Sequence, residues 1–297
     1  MLNVYEQVDS NKRKSLLILI VFALLVSGFI GLLGYVLGTD SGVIVLALIV
    51  SLGSSLSSYW WSDKLVLTMS QAHPADKKDY LDFYRAAENL ALASQIPIPR
   101  LYVIDSPAMN AFATGRDPQK AVICATTGLL QKLDKGEIEA VVAHEMSHVI
   151  NYDTRLMTIV AVLVGTITLA TNWLLRSRWT GDRKNKKAGP ILFLIAIVSM
   201  IVTPIAAKLI QLAISRRREY LADAQAVKLT RQPENLIRAL KQLAGDPNTL
   251  TQANSATAHL YIHNPFGKLS EKNNKMLALF ATHPPIQDRI LQLEKML

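Results

Sequence analysis

Cysteine and charge are both scarce in this sequence. A single cysteine, Cys124, is present among the 297 residues, so no disulfide can form within the chain. It lies in the apolar run 121–125, where a small buried core residue is the expected role. Charged residues make up 19% of the chain and hydrophobic residues 50%. This balance suits a protein partly buried in lipid better than a freely soluble enzyme.

A basic stripe is also missing. The formal net charge is +9, but Lys and Arg are mostly scattered, and several of them flank apolar stretches. A nucleic-acid-binding protein would gather them on one surface. We therefore interpret the positive charge as charge at a membrane surface that sets orientation, and we expect no nucleic-acid partner.

Four segments contain no charged residue and are long enough to cross a bilayer as helices, which takes about 20 residues. They are residues 15–39, 41–62, 156–175 and 188–207. The first segment has no clear small-residue cleavage site and the second follows it at once, which excludes a cleaved signal peptide. The spans contain almost no ionisable residue, which disfavours a transporter.

The order of these segments predicts four parts of the chain. They are a membrane hairpin over 1–62, a first catalytic segment over 63–155, a second membrane hairpin over 156–214 and a second catalytic segment over 215–297. The basic run 11–14 before the first span predicts a multi-pass protein of the cell membrane whose catalytic segments face the cytoplasm. The basic loop 176–187 lies outside in this arrangement. Either the positive-inside rule is broken there, or the second hairpin does not fully cross.

The motif His144-Glu-Met-Ser-His148 carries the strongest chemical signal. His144 and His148 are one helical turn apart and share a face, so their imidazoles can occupy two corners of a zinc tetrahedron. Glu145 is offset on the helix, where it can reach a metal-bound water rather than the metal. Two surface histidines on an ordinary helix are the alternative. The apolar residues around the pair disfavour it, because a buried His-Glu-His cluster would lack partners without a metal.

A catalytic zinc needs a third protein ligand and one open position. In one family of zincins the third ligand is a His six residues after the second, but that position here is Thr154, and Asn151 stands where a Gly would lie. The other common solution is a Glu from a later helix, and Glu219 suits that role. Asp223 is four residues further on and shares its face, so it could accept a hydrogen bond from a ligand imidazole.

These motifs together resemble the HtpX family of integral-membrane zinc proteases, which is related to the CaaX prenyl proteases. The resemblance covers essentially the whole chain. It rests on residues 11–13, 110–115, 144–153, 215–223, 256–262 and 282–286, the last followed by Arg289. It implies one Zn²⁺ held by His144, His148 and Glu219, with Asp223 and Asn151 beside the ligands. It also implies a cytoplasm-facing endopeptidase for membrane-protein quality control.

Two further groups of residues have possible roles at the site. His283 could donate to the developing oxyanion, as its position in the family motif suggests, and a structural His at a helix entry is the alternative. The strand formed by Asn110, Ala111, Phe112 and Ala113 could pair with an extended substrate, and a plain core strand is the alternative. We expect neither His259 nor His263 to bind metal.

The soluble segments show a mixed pattern of helix and strand. Helices are predicted over 77–95, 233–243 and 285–293, together with one that Asp134 caps before His144. Strands are predicted over 100–105, 110–115 and 121–126. The fold class is therefore a helix-rich α+β protein, with a zincin-like catalytic domain and a small β-sheet fused to about four transmembrane helices.

The predicted function is that of a zinc metalloendopeptidase that cleaves misfolded or membrane polypeptides, with Glu145 as the base. A prenyl-protein protease is the nearest alternative. A non-proteolytic membrane scaffold with a structural zinc is a second alternative. Two His and one Glu with an open position argue against the scaffold, because structural zinc sites have four protein ligands.

Overall fold

The computed structural model describes residues 4–36, 59–177, 215–254, 256–267 and 284–297, with isolated positions between 41 and 53. Most of the second predicted span, the basic loop, the fourth predicted span and His283 lie outside the described residues. Among the described residues, no helix combines the length and the apolarity that crossing a membrane would require. The four spans and the division into four parts stay predictions.

The described elements alternate between helix and short strand. The helices are α1 (Val4–Val36), α2 (Ser62–Met69), α3 (Leu81–Ser94), α4 (Thr127–Lys132), α5 (Lys135–Ile150), α6 (Asp153–Ser177), α7 (Arg216–Thr230), α8 (Pro233–Gly245) and α9 (Ile286–Glu294). The strands are β1 (His73–Pro74), β2 (Arg100–Ile104), β3 (Ala111–Thr114) and β4 (Val122–Thr126). Single 3₁₀ turns cover Pro118–Lys120 and Ala258–Leu260.

The helices and strands predicted for the soluble segments are confirmed, with small shifts at their ends. Helix α3 begins at Leu81 rather than at residue 77, because the carboxylate of Asp76 accepts a hydrogen bond from the backbone N–H of Lys78 at 2.8 Å and holds a turn there. The three predicted strands become β2, β3 and β4. The fold is helix-rich with a small mixed sheet, as the sequence predicted.

The strands form one sheet in the order β1-β2-β4-β3. Strands β2 and β4 are parallel, and β1 and β3 join antiparallel at the two edges. Successive residues of β4 point to opposite faces. Ile123 and Ala125 belong to the core formed with α3, α5 and α8, while Val122 and Cys124 belong to the core formed with α2 and α6. Cys124 is fully buried, as expected of a small core residue.

Candidate metal centre

Helix α5 carries the paired histidines, and a capping box fixes where it begins. The Asp134 carboxylate accepts a hydrogen bond from the Glu137 N–H at 2.8 Å, and the Glu137 carboxylate accepts one from the Asp134 N–H at 2.9 Å. The helix then runs through the core between the sheet and α3, α7 and α8. His144, Glu145 and His148 are consequently all buried.

Helix α7 brings an acidic pair against α5. Glu219 and Asp223 are buried on the face of α7 that meets α5. The Glu219 carboxylate lies between the two histidines, with Oε2 3.7 Å from His144 Nε2 and Oε1 3.6 Å from His148 Nε2. One donor atom from each of the three residues can be chosen so that all three lie within 4.8 Å of one another.

This donor set fits a tetrahedral zinc ion. Ligands about 2.0–2.1 Å from a tetrahedral zinc are roughly 3.4 Å apart, close to the two separations between Glu219 and the histidines. Two imidazoles and one carboxylate leave a fourth position for water or substrate, which is the composition of a catalytic rather than a structural site.

Each ligand histidine is oriented by a carboxylate on its other ring nitrogen. His144 Nδ1 lies 2.9 Å from Asp223 Oδ1, and His148 Nδ1 lies 3.0 Å from Asp153 Oδ2. An ionised carboxylate can only accept, so Nδ1 carries the hydrogen in both rings. Both Nε2 atoms then face Glu219, and Nε2 is the nitrogen left to bind a metal.

Arg289 of α9 completes the support of His144. Its guanidinium donates to both oxygens of Asp223, from Nη2 to Oδ1 at 2.6 Å and from Nε to Oδ2 at 2.9 Å. It also donates from Nη1 to the Ile262 carbonyl at 3.3 Å. The side chain is fully buried, so this bidentate pair compensates a carboxylate and a guanidinium that would each be costly to bury alone.

The surroundings shift the pKa values of the two histidines in opposite directions. Burial and the Arg289 cation lower the pKa of His144 to about 4, although Asp223 acts in the opposite direction. Burial also lowers the pKa of His148, but the hydrogen bond to Asp153 and the charges of Glu219, Asp153 and Glu145 outweigh it and raise that pKa to about 9. The surroundings of His148 therefore favour a positive charge, which a proton or a metal ion can supply.

Asn151 and Asn110 connect the site to its surroundings. Asn151 caps the end of α5, and its Nδ2 donates to the side chain of Gln225 on α7 at 2.8 Å. Asn110 donates from Nδ2 to the His263 carbonyl at 2.9 Å. Its Oδ1 accepts from the backbone N–H of His263 at 3.3 Å. Both side chains hold segments together around the ligands.

Strand β3 lies at an edge of the sheet, yet its residues Ala111, Phe112 and Ala113 are all buried. The backbone N–H of Ile262 donates to the carbonyl of Ala111 on its outer side at 2.9 Å. Of the other histidines, His259 is buried with Nε2 3.0 Å from the Met157 carbonyl, and His73 is exposed.

Sequence reasoning missed the residues that support the ligands from further away. Asp153 is five residues after His148, which is not a helical spacing, and it reaches the ring because Tyr152 takes a left-handed conformation (φ 58°) between α5 and α6. In the sequence, Arg289 was noted only because it follows the motif at residues 282–286. Asn11 and Arg218, which contact Asp153, belong to two of the motifs that carry the resemblance, but no role at the metal site was predicted for either.

Comparison with known proteins identifies the family of this chain. The family model described as Peptidase family M48 matches residues 79–297. Curated relatives named "Protease HtpX homolog" include one from Streptococcus uberis, 39% identical over 99% of this chain and 100% of the relative, and one from Streptococcus mutans, 40% identical over 98% and 99%. The crystal structure of S. mikatae Ste24p aligns with a TM-score of 0.49 and 22% identity, covering 97% of this chain and 66% of that one. The chain therefore belongs to peptidase family M48, among its HtpX-type members, and is a metalloprotease.

Proposed function

We propose that this chain is a zinc endopeptidase of the cell membrane, with zinc held by His144, His148 and Glu219. The observation that carries the proposal is the orientation of both imidazoles: each Nδ1 is bonded to a carboxylate, at 2.9 and 3.0 Å, so that each Nε2 faces the same buried glutamate. A structural pair of histidines would not need both rings fixed toward one point.

The chemistry divides between the metal and one carboxylate. A zinc ion held by His144, His148 and Glu219 would lower the pKa of a water molecule and would polarise the scissile carbonyl. Glu145 follows His144 directly on α5 and is 1% exposed, and its charge is close enough to raise the pKa of His148. We assign it the role of general base, which takes the proton of the attacking water and passes it to the leaving amine. His283 is proposed as a donor to the oxyanion.

Strand β3 is the proposed binding site for the backbone of an extended substrate. The backbone N–H of Thr126 on β4 donates to the Asn110 carbonyl at 2.9 Å, and alternation along an antiparallel pair then directs the backbone of Ala111 and Ala113 away from β4. Ile262 already occupies the outer side of Ala111 at 2.9 Å. An extended polypeptide would therefore pair at Ala113, next to α5, and its strand would end where the Ile262 segment begins.

The cellular setting follows from the sequence and the family. We propose a multi-pass protein of the cell membrane with about four spans and with both catalytic segments on the cytoplasmic side. Its substrates would be misfolded or membrane-tethered polypeptides. The basic run 11–14 before the first apolar segment supports this orientation. The metal centre adds a constraint, because His148 and Glu219 flank the second hairpin and must meet on one side.

The test is proteolysis by the full-length protein purified in detergent, with an unfolded membrane-tethered polypeptide as substrate. We expect Glu145→Gln to retain zinc and the wild-type melting temperature while losing cleavage, because only the base is removed. Glu139→Gln, on the same helix and only partly buried, is the matched control and should cleave normally. Near-wild-type cleavage by Glu145→Gln, or cleavage that a zinc chelator leaves unchanged, would contradict the proposal.

A further inference from the structure

Helix α1 reaches the metal centre through one amide side chain. Asn11 is 1% exposed. Its Nδ2 donates to Asp153 Oδ1 at 2.7 Å and to the Asn151 carbonyl at 2.9 Å, and its Oδ1 accepts from Arg218 Nη1 at 3.3 Å. Both amide hydrogens and the amide oxygen are therefore engaged, and all three bonds are made to residues far away in the sequence.

The same part of α1 holds the turn between α5 and α6. The ammonium group of Lys12 lies 4.4 Å from the ring centroid of Tyr152, the left-handed residue of that turn. Ser15 and Ile18, one and two turns further along α1, are buried on the same face. The start of α1 is thus packed where the chain passes from His148 to Asp153.

The Asp153 carboxylate divides its two oxygens between the metal ligand and this support. Oδ2 lies 3.0 Å from His148 Nδ1, whereas Oδ1 accepts from Asn11 and lies 3.6 Å from Arg218 Nε. The carboxylate is fully buried. Without Asn11, the nearest strong attraction on the Oδ1 side would be the Arg218 guanidinium, and a rotation toward that cation would move Oδ2 away from the imidazole.

We propose that Asn11 is a positioning residue for the metal ligand His148, and that it acts by holding the Asp153 carboxylate. The inference rests on the proposed metal site at His144, His148 and Glu219. It makes the geometry of that site depend on how α1 is seated, although α1 contributes no ligand. A helix that sequence analysis assigns to the membrane would then have a direct effect on metal binding.

The first test measures metal binding by the full-length protein in detergent, with Co²⁺ as the probe, since its visible absorption reports coordination geometry. We expect Asn11→Ala to weaken Co²⁺ and Zn²⁺ binding about tenfold, the lower end of the roughly 10–100-fold range for groups that orient metal ligands, and to change the Co²⁺ absorption. Ser15→Ala is the matched control. It removes a buried polar group from the same helix face, but that hydroxyl donates only to the Asn11 carbonyl at 2.7 Å, so its Co²⁺ spectrum should match the wild type.

A double-mutant cycle distinguishes this pathway from a general loss of packing. Asn11→Ala and Asp153→Asn should be non-additive in metal affinity, because both act through the same bond to His148, whereas Asn11→Ala and Asp223→Asn should be additive. Additive behaviour of the first pair would overturn the inference. So would a folded Asn11→Ala protein with wild-type affinity and spectrum.

A second variant covers the case in which Asn11→Ala does not fold. Asn11→Asp keeps the shape of the side chain but replaces the donor with a like charge beside Asp153, and it should weaken metal binding more than tenfold. Unchanged affinity in this variant would also overturn the inference. If the wild-type protein binds no Co²⁺, the proposed metal site itself fails, and that outcome is distinct from wild-type binding that the Asn11 variants leave unaltered.

Discussion

The two ligand histidines are supported by two different sets of residues. We call them the His144 arm and the His148 arm. In the His144 arm, the imidazole is bonded to Asp223, and one arginine, Arg289, holds both oxygens of that carboxylate. In the His148 arm, the imidazole is bonded to Asp153, whose support is divided between Asn11 of α1 and Arg218 of α7. The bonds to the two rings are nearly equal, at 2.9 and 3.0 Å.

The comparison of the two arms shows that a carboxylate on Nδ1 fixes the tautomer of a ligand histidine but does not fix its pKa. Burial and the Arg289 cation keep the pKa of His144 at about 4. The pKa of His148 rises to about 9 despite burial, because the hydrogen bond to Asp153 and the nearby Glu219 charge favour its protonated form. The neighbours beyond the carboxylate therefore shift the pKa values of the two histidines in opposite directions.

Removing the residue that both arms share should have the largest effect. Glu219→Ala takes away a proposed ligand and the negative charge that would offset the metal. We expect zinc content and proteolysis to fall together to near background, as measured by elemental analysis and peptide cleavage. Glu234→Ala, at the exposed start of α8, is the control. Full zinc content in Glu219→Ala would mean that another residue is the third ligand.

The second-largest effect is expected from removing Arg289, the arginine that holds Asp223 in the His144 arm. Arg289→Met leaves the Asp223 carboxylate buried without its partner, which costs about 3–5 kcal/mol in such sites. Arg218→Met should cost less, because Asn11 still donates to Asp153 at 2.7 Å. Thermal unfolding in detergent measures both, with Arg85→Met as the control, because Arg85 is exposed and lies 3.9 Å from Asp82. Equal losses for Arg289 and Arg218 would show that the two arms do not differ as described.

Changing the two carboxylates compares the arms directly. Asp223→Asn and Asp153→Asn should each weaken zinc binding roughly 10–100-fold, because an amide holds the imidazole less firmly than a carboxylate does. The Asp223 variant should lose more stability, because it leaves the fully buried guanidinium of Arg289 with the Glu219 carboxylate at 3.9 Å in place of a bidentate partner. Competition with a zinc-binding dye gives the affinities. Complete loss of zinc in either variant would instead indicate that the carboxylate ligates the metal directly.

The smallest effect is expected for a substitution outside the metal site, which should affect the His144 arm and the His148 arm equally. Asp134→Ala removes the capping box of α5, with an expected loss of about 0.5–2 kcal/mol of stability. Both histidines are on this helix, far from its first turn, so zinc affinity should change little. A selective loss of metal binding in this variant would show that the start of α5 sets the ligand geometry.

The sequence predicted the elements whose signals are local. The cap at Asp134 and the apolar run around the histidines specify α5 from neighbouring residues alone, and the short apolar stretches specify β2 and β4. The spacing of Glu219 and Asp223 placed both on one face of a later helix, as the structure shows. The membrane spans stay predictions, since much of that sequence lies outside the described residues.

The rest of the site depends on contacts that no local pattern contains. Asn11 and Asp153 are 142 positions apart, and Arg289 lies 66 positions from Asp223. A buried arginine cannot be distinguished from a surface one by its sequence neighbours. Asp153 required the left-handed Tyr152, and left-handed backbone at a residue other than glycine is uncommon.

The central claim is that two imidazoles and one carboxylate form a zinc site with an open position. Zinc-edge X-ray absorption on the purified full-length protein tests it most directly. We predict two imidazole ligands at about 2.0–2.1 Å with oxygen in the remaining positions and no sulfur in the wild-type protein, and a zinc signal near background in Glu219→Ala. A site closed by four protein ligands, or a spectrum that Glu219→Ala leaves unchanged at full zinc content, would contradict it.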